Sequence, residues 1–277
     1  MKTREPIVAG KFYPDDKKNI IALLRSIYLK EKSKINTGLS KKKIIGGVVP
    51  HAGYVFSAYE AIHFFDIIKN SDSKFDTVFI INPNHTGYGN GEMALDNNEC
   101  WETPLGKTEI DKDFSEILDL PVSGLAHRYE HSGEVMLPLL QYYLNYEFKI
   151  LPVTISNQNY ENAKKLAKSI YNANKTLNKK ILIIASSDFS HYVEPELGKH
   201  LDSFVLKEIQ NLNSEEIYNV VLEKNLSVCG YGPIMTLIEY SKMVSDNTRT
   251  EILRMGNSGE TLPSKEVVDY VSILFYE

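Results

Sequence analysis

Short apolar runs recur along the chain, separated by stretches with helical period. Ile44–Val49 and residues 77–81, 148–155 and 181–185 read as buried strands, because each run is continuous, apolar and of strand length. Between them, residues 57–69 place Ala58, Ala61, Ile62, Phe65 and Ile68 on one helical face, with Ser57 positioned to cap it, and residues 164–171 lie in a second helical pattern. Strand, helix, strand in this rhythm predicts an α/β core with parallel pairs. Further helices are expected at 197–210, 214–222 and 233–243. Two late strands follow near 251–255 and 267–275, and their mixed alternation predicts at least one antiparallel edge. The polar, lysine-rich stretch 30–43 reads as a solvated loop. No internal repeat and no Pro/Gly/Ser-rich linker divides the chain. The expectation is therefore one domain spanning 1–277, an α/β fold with a mixed, largely parallel central sheet flanked by helices.

Composition narrows the function classes. Of 277 residues, 43% are hydrophobic, and 31 Lys and Arg against 36 Asp and Glu give a net charge of −5. Disorder as the main state is excluded by this balance, and no global basic field for nucleic acid exists. No run approaches the roughly 18 apolar residues of a membrane helix. Pro6, Gly10 and Pro14 interrupt the N-terminal region, so no signal peptide and a cytoplasmic location are expected. Cys100 and Cys229 are the only cysteines, too few for a disulfide framework, so each is a small buried side chain or a reactive or ligating thiol.

Common catalytic motifs are missing. There is no G-x-S-x-G elbow, no H-E-x-x-H and no paired C-x-x-C. Gly106-Lys107-Thr108 lacks the glycine a P-loop needs five positions earlier, where Trp101 stands, and Gly87, Gly89 and Gly91 have the wrong spacing for a dinucleotide loop. What remains is three histidines just beyond predicted strands: His51 in Pro50-His51-Ala52-Gly53-Tyr54, His85 in Asn82-Pro83-Asn84-His85, and His191 in Ser186-Ser187-Asp188-Phe189-Ser190-His191. Ligands of open α/β sheets bind beyond the carboxyl ends of the strands, so parallel strands would project these imidazoles toward one crevice. Imidazole is both the commonest metal ligand and the usual acid/base group near neutrality. Asp188 is placed to orient an imidazole, bind metal or act as a base. Cys229, just ahead of a predicted helix, is expected to have a depressed pKa and a thiolate character suited to soft metals. His63 and His200 fall within helical patterns and read as packing or surface groups. His127 and His131 are spaced i, i+4, but Ser132-Gly133 predicts a turn there, so no shared ligand role is expected.

With these residues in view, the chain resembles the MEMO family, also called the AmmeMemoRadiSam system protein B family. The resemblance covers almost the whole chain. It runs from Arg4-Glu5-Pro6 and Ala9-Gly10-Lys11-Phe12-Tyr13-Pro14 through the three histidine motifs, Glu102-Thr103-Pro104-Leu105-Gly106 and Glu130-His131-Ser132 with Glu134, to Cys229-Gly230-Tyr231-Gly232-Pro233. That family is structurally similar to class III extradiol dioxygenases. The resemblance implies metal ligands at His51, His85 and Cys229, pocket residues at Asp188 and His191, with His191 at the acid/base position, and pocket or supporting groups at His131 and Glu134. It implies Fe(II) or copper, with zinc as a third option. Two departures stand out, the first from the dioxygenases and the second from many members of the MEMO family. Cys229 takes the place of a carboxylate ligand, and Met136 stands where many members carry a polar residue. Two functions follow from the resemblance. One is a metal-dependent redox enzyme acting on a small molecule. The other is a non-enzymatic binding or scaffold protein for phosphopeptides or partner proteins, with radical-SAM and AMMECR-type proteins as partners. Nucleic acid and membrane are not expected as partners.

Overall fold

The computed structural model describes residues 2–277. Its first half contains β1 (Thr3–Arg4), α1 (Lys17–Glu31), β2 (Ile44–Val49), α2 (Tyr54–Lys69), β3 (Thr77–Pro83), β4 (Met93–Leu95), β5 (Cys100–Thr103), β6 (Gly106–Glu109), α3 (Lys112–Ile117), α4 (Gly124–Arg128) and α5 (Met136–Tyr143). Then come β7 (Lys149–Ile155), α6 (Tyr160–Leu177), β8 (Ile181–Ser186), β9 (His191–Val193), α7 (Pro195–Gln210), α8 (Ser214–Glu223), α9 (Tyr231–Val244), β10 (Arg249–Asn257) and β11 (Val267–Tyr276). Among the described residues no helix is long and apolar enough to cross a membrane.

The main sheet has the order β10-β11-β2-β8-β3-β7-β4, with β9 added against β11. Strands β2, β8, β3 and β7 run parallel, and antiparallel strands flank them on both sides. The parallel strands are buried on both faces, which is why their sequences are unbroken apolar runs. A Cβ at Gly46 would meet Leu237 of α9 and one at Gly47 would meet Phe64 of α2, so these helices cover opposite faces of the sheet. Val49 pairs with Ser186, and Ile81 with Ala185. The carboxyl ends of β2, β8 and β3 are thus level, and the segments that follow them emerge along one edge.

Three local expectations need correction. Helix α2 starts at Tyr54 with Gly53 as its N-cap, so Ser57 does not cap it; the Ser57 hydroxyl donates back to the Ala52 carbonyl at 2.9 Å. The stretch 30–43 is not simply a wet loop, because it begins inside α1 and contains a 3-10 turn at Thr37–Lys41 with Ile35 and Leu39 buried. Helix α1 itself lies in a region with no predicted element. Asp16 caps it by accepting from the Asn19 amide at 2.9 Å, and Ile20, Leu24 and Ile27 face the core.

Candidate metal centre

His51 follows β2 and is fully enclosed, with 2% exposure. Its Nδ1 lies 2.8 Å from the Ser186 hydroxyl, which donates its single proton to the Ser132 carbonyl at 2.8 Å. A carbonyl only accepts, so toward the ring the Ser186 oxygen must accept as well. Neutral His51 therefore carries its proton on Nδ1 and leaves Nε2 as a bare lone pair. Burial, and then the positive character of His131, His85 and His191, push its pKa well down, which keeps the ring neutral.

His85 follows β3 and is built on the same plan. Its Nδ1 donates to Glu130 Oε1 at 2.9 Å and its backbone amide to Glu130 Oε2 at 2.6 Å, again leaving Nε2 free. Burial alone would raise the Glu130 carboxyl, but hydrogen bonds and charge from His85 and two donors from Ser132 outweigh it and hold the group at about 2. A charged outer partner that fixes the ring and its tautomer is the usual support of a metal-binding imidazole.

Cys229 reaches this point from the loop before α9. Its Sγ lies 3.2 Å from His51 Nε2 and accepts from the Asp188 amide at 3.2 Å. The loop comes this close because residue 230 is glycine: a Cβ there would stand 2.2 Å from the Ser186 carbonyl oxygen. Gln158 clamps the loop by donating to the Cys229 carbonyl and accepting from the Gly232 amide, both at 2.8 Å. The expected depression of the thiol pKa is not found. Burial, and then the Asp188 charge, push it well above the ordinary value, and the nearby amides of Gly230 and Gly232 point at Ser187 and Gln158 instead of the sulfur.

Ligand atoms of His51, His85 and Cys229 all lie within 4.8 Å of one another. Donors bound at about 2.1 Å (nitrogen) and 2.3 Å (sulfur) to a tetrahedral ion stand about 3.6 Å apart, so small side-chain shifts bring these three onto one ion. The donor set, two imidazoles whose Nδ1 atoms are engaged elsewhere and one thiol, fits a soft or borderline metal.

The profile of the family described as Memo-like protein matches residues 4–274. The chain belongs to the Memo family. A MEMO1 family protein of Methanococcoides burtonii is 38% identical over 276 residues, covering 98% of this chain and 99% of the relative. The Archaeoglobus fulgidus relative is 36% identical over 275 residues with the same coverage. An uncharacterized protein from Escherichia coli K12 has a similar fold, with a TM-score of 0.52 at 11% identity, over 77% of this chain and 91% of that one.

Around the core of this Memo protein the remaining candidates separate. His131 stays close: its ring centroid is 4.8 Å from that of His85 and 5.5 Å from that of His51, and Phe12 backs it at 4.8 Å. Asp188 also stays, but it serves His51 and not His191. Its Oδ1 accepts from the His51 amide at 2.7 Å, and Oδ2 lies 3.9 Å from His51 Nε2. His191 opens β9, partly exposed, with Nδ1 donating to the Ser227 carbonyl and its amide to the Ser227 hydroxyl, both at 2.9 Å. Glu134 turns away from the histidines. Its oxygens accept from Arg4 Nη1 at 2.6 Å, the Ile7 and Val8 amides and the Tyr13 hydroxyl, so it anchors the N-terminal segment. His127 is satisfied on both nitrogens by Ala94 and Thr154, and Met136 is part of the core. Glu130 and Ser186 appear in the sequence only as members of the Glu130-His131-Ser132 and Ser186–His191 motifs, with no role attached, and Ser227 and Gln158 carry no sequence signal at all.

Proposed function

We propose that this Memo family member is a metal-dependent redox protein whose single ion, Fe(II) or copper, is held by His51 Nε2, His85 Nε2 and Cys229 Sγ. The observation that carries the reading is the pair of imidazoles whose Nδ1 atoms are tied to Ser186 and Glu130, with His51 Nε2 3.2 Å from the Cys229 sulfur and the ligand atoms of all three residues within 4.8 Å of one another. One thiolate in place of a carboxylate softens the set and admits Cu(I) as readily as Fe(II), with Zn(II) as the alternative occupant. The bound metal would supply one-electron chemistry and an open position for a small oxidisable substrate.

The chain's own residues do the rest. Because Cys229 is held protonated by burial, metal loading releases its proton, so loading weakens as pH falls. The Asp188 amide stays on the sulfur and stabilises the thiolate once formed. The Asp188 carboxyl, pushed up to about 6 chiefly by burial, can take or return a proton beside His51 Nε2 near neutral pH. His191, with its Nδ1–H on Ser227, would have Nε2 to accept a proton from substrate. His131 and Phe12 form the wall against which substrate would lie.

The test is metal analysis of protein purified without oxygen, followed by oxygen uptake with catechols and thiols. One equivalent of metal, lost in Cys229→Ala, together with turnover is the expected result. Stoichiometric metal without turnover would favour a scaffold or carrier, and absence of metal under every condition would remove the redox reading.

A further inference from the structure

Behind the loop that carries Asp188 and His191, two carboxyl groups are buried together. Asp202 projects from α7 and Asp269 from β11, with 1% and 6% exposure. Asp202 Oδ1 accepts both the amide of Ser190, at 3.0 Å, and its hydroxyl, at 2.6 Å. The Asp269 backbone brackets the same place: its amide donates to the Ser190 carbonyl at 2.8 Å, and its carbonyl accepts from the Phe189 amide at 2.9 Å. The other oxygen of each acid, Oδ2, is buried with no donor to accept from, while the two carboxyls stand in hydrogen-bonding reach of each other. Helix α7 seats against them only because residue 198, one turn before Asp202, is glycine; a Cβ there would lie 2.2 Å from Asp269 Oδ2.

Two carboxylates in such contact cannot both ionise. The ionisable groups that act on the pair are each other, His191 from β9 and Tyr270 beside Asp269 on β11. Among the described residues no lysine or arginine pairs with either acid. A proton is the simplest species that satisfies both unpartnered oxygens at once.

We propose that Asp202 and Asp269 share one proton between their Oδ2 atoms, and that this pair is a positioning device for the 188–191 loop, acting through Ser190. The shared proton stands independently of any metal; its relevance to Asp188 and His191 rests on the function proposed above. Burial comes first in raising the two acids, Asp202 to about 7 and Asp269 to about 6, and the Asp269 charge adds to the rise at Asp202. Both lie above the roughly 3.9 of an unfolded aspartate. The pair's contribution to stability is therefore complete below about pH 4 and is lost as pH rises through about 6 to 7. Above that, a second charge without a donor pushes α7 and β11 apart and loosens the hold on Ser190.

Asp202→Asn tests this in the full chain. The asparagine keeps an oxygen for Ser190 and offers a permanent amide donor to Asp269, imitating the shared proton. The variant should match wild type at about pH 5.5 and melt about 2–4 °C higher at about pH 8, the shift expected of roughly 1 kcal/mol in a chain of this size. Exchange protection of the Ser190 amide should fall with rising pH in wild type and hold in the variant. Carboxyl 13C titration of wild type, which needs no substitution, should show the pair titrating near 6 to 7, above the ordinary aspartate range. Ordinary titration of both near 4, or a variant destabilised equally at both pH values, would overturn the shared proton. A shared proton without any change at Ser190 would overturn the positioning role. None of these readouts uses metal, so failure of the redox reading leaves them interpretable.

Discussion

Carboxyl groups are buried on both sides of the candidate metal position, and they meet opposite fates. On one side Glu130 accepts four bonds, two from His85 and two from Ser132, and Glu134 accepts from Arg4, Ile7, Val8 and Tyr13. On the other side Asp202 and Asp269 each keep an oxygen without a donor, and Asp188 is lifted to about 6 mainly by burial. Depth is similar on the two sides; the supply of donors differs. At Glu130 the donors outweigh burial and hold the carboxyl down, whereas at Asp202, Asp269 and Asp188 burial outweighs the donors and lifts it toward neutral pH. The first wall therefore holds geometry, while the second can exchange protons.

The contrast can be broken at its rigid side. Glu134→Ala leaves Arg4, 4% exposed and stacked 4.4 Å over Trp101, as a buried unpaired cation. A loss of about 3–5 kcal/mol in denaturant unfolding is expected; a loss under about 1 kcal/mol would mean that the N-terminal segment is not held by this pair. Glu130→Gln should act differently, because it removes the charged partner of His85 while preserving shape. Metal affinity should fall by about 10–100-fold with a much smaller change in metal-free stability, and an unchanged affinity would show that the outer bond does not tune the ligand. The smallest effect is expected from Cys100→Ser. Cys100 is buried in the separate β1-β5-β6 sheet beside Thr3, so metal content should not move, and metal loss there would mean the wrong thiol has been assigned.

Much of this was written in local sequence. The central strands announce themselves because parallel strands covered on both faces must be apolar throughout, and β2, β3 and β8 fit that description. His51 and His85 could be singled out because level parallel strands deliver their following residues to one edge. The supporting groups were hidden because their meaning is tertiary. Ser186 meets His51 across 135 residues, and Glu130 meets His85 across 45. Helix α1 carries a capping Asp16 and a proper apolar face, yet Lys17, Lys18, Arg25 and Lys30 dilute the signal. The short strands β4, β5 and β6 have no periodicity of their own and exist only through pairing. The sign of the Cys229 shift is not legible for a related reason: proximity to a helix start is visible in sequence, but which amides already have partners is not.

The central claim is that two imidazoles and one sulfur share an ion. X-ray absorption on anaerobically loaded protein tests it most directly. The account predicts one sulfur at about 2.3 Å and two imidazole nitrogens at about 2.0–2.1 Å around a single metal, with the sulfur shell lost in Cys229→Ala. A metal environment of nitrogen and oxygen alone in the wild-type protein would contradict it.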